Sequence, residues 1–135
     1  MTAVLDALAS RIAAVVTDRT VYPYAAPDGP KPPRYLVVRG SSIAESASRA
    51  VGQIDVSDES VWVASVSRND DPQVAAREAQ WGADAARAAL RDWSPQLGGT
   101  SWLVRLVGSQ PAYRDEQVVE TAYVSVGQFS VRTTI

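Results

Sequence analysis

The most ordered pattern in the chain is a helical one set between alternating stretches. Val74, Trp81, Ala85 and Ala88 fall within a narrow arc, flanked by Ala75, Ala79, Gly82, Ala86 and Leu90. Arg77, Gln80, Asp84, Arg87 and Arg91 occupy the opposite side. Asp71 in the N-cap position, followed by Pro72, is a strong start signal, and Gly98-Gly99 marks a helix-ending turn. The pattern predicts a helix over 71–93. Gly82 in its middle costs about 1 kcal/mol against Ala. Close packing of a small-residue stripe on a sheet is the expected compensation, with Trp81 and Trp93 supplying bulk.

An opening helix is predicted over 2–17, with Val4, Leu8, Ile12 and Val15 on one face, Thr2 as N-cap and Asp6 near the positive end. Residues 20–24 read as a short strand that Pro23 confines to an edge or a bulge. A stiff, turn-rich connection over 25–33 contains Asp28-Gly29-Pro30 and Pro32-Pro33. Residues 34–39 suit a central strand. Residues 40–57 read as a long loop, functional or mobile, although Ile54 and Val56 could already begin a strand.

Residues 59–67 alternate cleanly, with Val61, Val63 and Ser65 on one face and Trp62, Ala64 and Val66 on the other. After the long helix, a strand over 101–107 and a loop over 108–116 lead to a long strand over 117–133. That strand sets Ala122, Val124 and Val126 against Val119, Tyr123, Phe129 and Val131, with Gly127 as a candidate bulge. The order α-β-β-(loop)-β-α-β-β predicts an α+β domain spanning 1–135. Its sheet is mostly antiparallel with four to five strands, and the N-terminal helix and the Ala-rich helix pack on one face.

Composition narrows the chemistry. The 135 residues suffice for one core without staples. The net charge of −2 argues against a general nucleic-acid-binding module, which normally carries a basic face. With no Cys and no His, thiolate catalysis, sulfur-ligated metals and the usual neutral-pH proton shuttle are excluded. No stretch approaches the roughly 20 apolar residues of a membrane span. The start, Met1-Thr2-Ala3-Val4-Leu5-Asp6, lacks the charged and apolar regions of a signal peptide, so a soluble cytoplasmic product is expected.

The remaining constellations are sparse. Asp58/Glu59, Asp70/Asp71 and Asp115/Glu116 are paired carboxylates that could serve acid–base work or hold a hard cation. A helix cap and solvated strand ends account for them more simply. The serines of 41–60 have no histidine to activate one of them, and Lys31 stands in no Ser-Lys motif. Gly98-Gly99 lacks the GxxxxGK pattern of a phosphate cradle. No catalytic residue, metal ligand or cofactor is therefore expected.

Lys31, Arg34 and Arg39 form a basic group with Tyr35, followed by the acidic Glu45, Asp55, Asp58 and Glu59, with Arg49 among them. This arrangement suits charge-complementary contact between identical subunits better than contact with phosphates. Tyr22, Tyr24 and Tyr113 lie in or beside turns, as interface anchors or as covers for the sheet edge. Those ten residues (Tyr22, Tyr24, Lys31, Arg34, Arg39, Glu45, Arg49, Asp55, Asp58, Tyr113) are the candidate interface.

Taken together, the parts resemble the tail-terminator (tail-completion) proteins of long-tailed bacteriophages. The resemblance is carried by the opening helix, the Val21-Tyr22-Pro23 strand running into a Pro-rich turn, and the Tyr35-Leu36-Val37-Val38 strand. It extends through the variable loop, Val61-Trp62-Val63, the helix ending Ala88-Ala89-Leu90, and the closing strand with Phe129-Ser130-Val131. It covers nearly the whole chain as a pattern without a signature motif. It implies a structural virion protein without catalytic residues or cofactor. It further implies a hexameric ring that caps the head-proximal end of the tail tube, stops polymerisation and joins the head. The implied partners are further copies of the chain, the tail-tube protein and a head-completion protein, with DNA passing through the lumen. The implied location is the virion, after assembly in the host cytoplasm. The competing readings are a head-closure or other neck or minor tail part, and a small enzyme or ligand-binding domain using the carboxylates.

Overall fold

The computed structural model describes residues 3–45, 56–95 and 103–134, with backbone alone at 41–45, 56–57 and 134. The element order is α1 (Ala3–Val15), β1 (Thr20–Pro23), β2 (Arg34–Glu45), β3 (Val56–Arg68), α2 (Pro72–Leu90), β4 (Arg105–Ser109), β5 (Tyr113–Arg114) and β6 (Ala122–Thr134). The strands form one six-stranded sheet in the order β1-β2-β3-β6-β4, with β5 also on β6. Both helices cover one face, and the α+β class expected from the sequence is the observed one.

The sheet is mixed, because β1 runs parallel to β2 while the other pairs are antiparallel. The mostly antiparallel sheet expected from the sequence is found at every described pair but this one. The chain leaves β1 at Tyr24, whose φ of 71° turns it out of the strand, and Ala26 then packs against the sheet face that the helices leave open. A proline-rich segment cannot fold back as a two-residue hairpin, so it crosses the sheet and returns in the same direction. Pro23 ends β1 at the sheet edge, as its missing N–H requires.

β2 and β3 extend well into the expected loop, since β2 continues to Glu45 and β3 begins at Val56. Residues 46–55, the rest of that loop, lie outside the described residues. Gly40 makes the extension possible. Its φ of 81° accompanies a register shift between Arg39 and Ser42, and a Cβ there would stand 2.7 Å from the Trp62 ring. A glycine bulge of this kind bends and twists a strand without ending it.

α1 buries Val4, Leu5, Leu8, Ala9 and Ile12, and Val16 just beyond its end. Val15, expected in that stripe, lies at its margin and is 46 % exposed. The N-cap expected at Thr2 falls outside the described residues. α2 starts as predicted, with Asp71 accepting from Gln73 N at 2.9 Å and Pro72 in the first turn. It ends at Leu90, and the expected Gly98-Gly99 turn is again outside the described residues.

The face that α2 buries is Ala75, Ala79, Gly82, Ala86, Ala89 and Leu90, one residue round the helix from the expected centre. Trp81 is 55 % exposed, contrary to expectation, whereas Trp93 does pack against the core. The small-residue line sets the contact because it lets the helix axis approach the sheet, and a Trp on that line would hold it away. A Cβ at Gly82 would overlap Ser65 Oγ and Arg19 Nη1.

Leu36, Val38, Val61, Val63, Phe129 and Val131 complete this core from the sheet side. β4 begins later than the expected 101–107 strand, and the expected 108–116 loop contains β5. β4 and β5 together make one interrupted outer strand along β6. It is broken by a register shift between Leu106 and Gly108 and by Pro111, with Gln110 N bonding to Val126 O at 2.9 Å between the pieces. Val119 precedes β6 and is fully exposed rather than inward-facing. The β3–β6 register runs unbroken through Gly127, so no bulge occurs there; the glycine leaves room for the Phe129 ring.

Candidate functional site

Alternation on the strands sends one set of side chains to the helices and the other to the open face. On that open face Tyr35, Val37 and Arg39 of β2 lie beside Ala64 and Val66 of β3 and Val124 of β6. Val37, Ala64 and Val124 are buried there as a second, small apolar cluster, with Ala26, Tyr35, Val66 and Val126 against it. The proline-rich crossover walls this floor on one side through Tyr24–Ala26, and the segment from Tyr113 to Gln117 walls it on the other. The result is a groove of about 600 Å³, apolar at its base and charged along its rim by Arg39, Arg114, Asp115 and Glu116. That volume lies within the range of ligand and partner clefts.

Hydrogen bonds fix its walls. Tyr24 donates to Asp6 Oδ1 at 2.8 Å, which ties the crossover to α1. Tyr22 meets Tyr35 edge to face, with centroids 5.7 Å apart. Burial pushes the Tyr35 phenol above its ordinary pKa, so it stays protonated throughout the neutral range. Ser125 donates to Gln110 O at 2.9 Å, and Asp115 Oδ1 accepts from Gln117 N at 3.0 Å, forming an Asx turn. Arg68 closes the adjoining corner by donating to the carbonyls of Lys31 and Pro32 and pairing with Glu120 at 3.1 Å.

The expected interface residues do not gather in one place. Tyr24, Arg39 and Tyr113 line the groove. Arg34 lies on the helix side, 4.0 Å from Glu78 Oε2, because positions 34 and 39 of one strand face opposite ways. Lys31 donates to Gly29 O within the crossover. The basic group read from the sequence is thus dispersed. Asp58 forms a bidentate pair with Arg132 of β6, at 2.8 and 3.0 Å, and this holds its carboxyl below the usual range. For Glu45 only the backbone is described, and Arg49 and Asp55 are outside the described residues.

Arg114, Asp115, Glu116 and the exposed Trp81 were not among the expected interface residues. The period-2 pairing of Tyr35, Val37 and Arg39 with Ala64, Val66 and Val124 was the available signal for the groove. Among the described residues no group of three or more Asp or Glu is placed to hold a metal ion. No described helix is long and apolar enough to cross a membrane.

No family model matches the chain, and no curated protein matches it. Solved structures do. A chain in the virion of a native gene transfer agent particle superposes with a TM-score of 0.75 at 16 % identity, covering 100 % of both chains. The protein therefore shares its fold, from end to end, with a chain of a gene transfer agent virion.

Proposed function

We propose that this protein is a structural subunit of a phage-like virion, and within it a tail terminator. In this reading several copies close into a ring on the head-proximal end of the tail tube. The ring ends tube growth and presents its other face to a head-completion protein, and DNA crosses the lumen without sequence-specific contact. The observation that carries the reading is the end-to-end fold match, with no unmatched domain on either chain, to a component of a virion. The tail-terminator pattern of the sequence, from the opening helix to the Phe129-Ser130-Val131 strand, supports the finer assignment. A two-layer fold with an apolar groove on its open side also suits a part that works by contact with neighbours.

The test combines deletion with reconstitution. Electron microscopy of particles made without the protein is expected to show overlong tail tubes. Adding the purified protein to polymerising tube protein is expected to cap the tubes and fix their length. Finished tails beside filled, leaking heads would move the assignment to head closure. A chain that stays monomeric and never joins a tube end would overturn the virion-assembly reading.

A further inference from the structure

The fold carries a convex and a concave apolar feature on opposite sides of its two layers. On the helical layer Trp81 is largely exposed, although it is the side chain with most area to gain from burial. It is also held in place. Arg77, one turn earlier, lies 5.2 Å from the ring centroid, and the helix beneath is fixed by the close Ala75–Gly82 contact with the sheet. The indole is a pre-positioned knob with a cation on its face, and Trp and Arg dominate interface energetics. On the other layer the groove offers an apolar floor large enough to take an indole, with the carboxylates of Asp115 and Glu116 and the guanidiniums of Arg39 and Arg114 on its rim.

We infer that Trp81 and Arg77 of one copy dock in the open-face groove of the next copy. The indole lies on the Val37–Ala64–Val124 floor, and the guanidinium faces Asp115 and Glu116. Both halves of the match, an exposed indole carrying a cation and an apolar floor with an adjacent pair of carboxylates on its wall, belong to this one chain, which is why a second copy is the occupant. Knob and groove sit on opposite faces, so each copy uses its knob on one neighbour and its groove on the other. Such a contact is heterologous, and it closes into a ring when the rotation between copies permits. The inference rests on the ring proposed above and assigns its subunit contact.

The chain has no cysteine, so an introduced pair reports cleanly. In the Arg77→Cys/Glu116→Cys variant the two thiols lie on opposite layers and cannot join within one chain. Mild oxidation of the purified variant, alone and with tube protein, is expected to give a ladder of covalent oligomers beyond the dimer. Each single variant is expected to stop at the dimer. Trp81→Ala is expected to weaken assembly at least tenfold by sedimentation with an unchanged unfolding midpoint, and Trp81→Phe to retain most of it. Wild-type rings without a ladder, or unaltered assembly of Trp81→Ala, would overturn this contact and leave the ring standing. A double variant that stops at dimers would mean face-to-face association and would also overturn it. A wild-type chain that neither forms rings nor caps tubes would remove the underlying reading, and this contact with it.

Discussion

Arg19 runs under α2 at the point where Gly82 has no side chain. Its guanidinium is almost wholly buried there, and Nη1 donates to Glu78 O at 3.1 Å. Nε and Nη2 reach Asp18, whose more exposed carboxylate keeps the charge paired at the protein surface. One missing methyl group thus lets a cation pass between a helix and a sheet that otherwise meet through Ala.

Gly82→Ala is accordingly expected to destabilise the protein. Helix propensity favours Ala by about 1 kcal/mol, but the added carbon overlaps Ser65 Oγ and Arg19 Nη1. Overpacking of a close contact costs about 1–3 kcal/mol, so the net change in urea-denaturation free energy should be a loss. Ser65 Oγ is buried without a hydrogen-bond partner, so Ser65→Ala should be neutral or stabilising and should recover part of the Gly82→Ala loss. A more stable Gly82→Ala variant would contradict the packing.

Asp71→Ala should cost about 1 kcal/mol, the usual value of an N-cap whose carboxylate bonds the first-turn backbone. Asp71→Asn or Asp71→Ser should recover most of it. Thermal unfolding of the three variants under one set of conditions measures this.

Gly40→Ala combines a left-handed backbone with a clash against Trp62. The backbone alone costs roughly 1–2 kcal/mol for a residue with a Cβ. Trimming the ring in a Gly40→Ala/Trp62→Ala double variant should remove the steric part and leave the backbone part. A double-mutant cycle on chemical unfolding therefore gives a coupling between the two positions, and additive losses would argue against the bulge geometry.

The Asp58–Arg132 pair predicts an acid-side effect. Arg132 donates to the Asp58 carboxylate and lowers its pKa in the folded state. The pair's contribution is therefore complete above the unfolded pKa, about 3.9 for an aspartate, and fades as pH falls through the lower folded value. Carbon-detected NMR should find Asp58 titrating below the ordinary aspartate range. Arg132→Ala should move it upward while leaving stability at neutral pH nearly unchanged, since both groups are partly exposed.

The sequence was most legible where one local rule decided the outcome. Asp71-Pro72 set the start of α2, Pro23 set an edge strand, and alternation within 59–67 put Val61, Val63 and Ser65 on one face and Trp62, Ala64 and Val66 on the other, as observed. It was least legible where a contact distant in sequence decided. Trp81 points outward because Arg19, from the α1–β1 connection, and Ser65, from β3, demand the Gly82 side of the helix. β1 pairs parallel to β2 because of the path taken by a crossover, which no local period encodes. The separation of Arg34 from Arg39 follows from strand parity and was readable. The groove needed three strands and two connections in register at once, and only its individual strands had a pattern.

The broken outer strand also limits backbone-to-backbone contact on its side of the sheet. With Val107 displaced and Pro111 in the way, the border of the sheet along β6 offers a five-residue and a two-residue piece among the described residues. Neither is long enough to template the stacking of backbones that drives amyloid growth. Along that border, side chains rather than a continuous row of amides meet whatever approaches the protein.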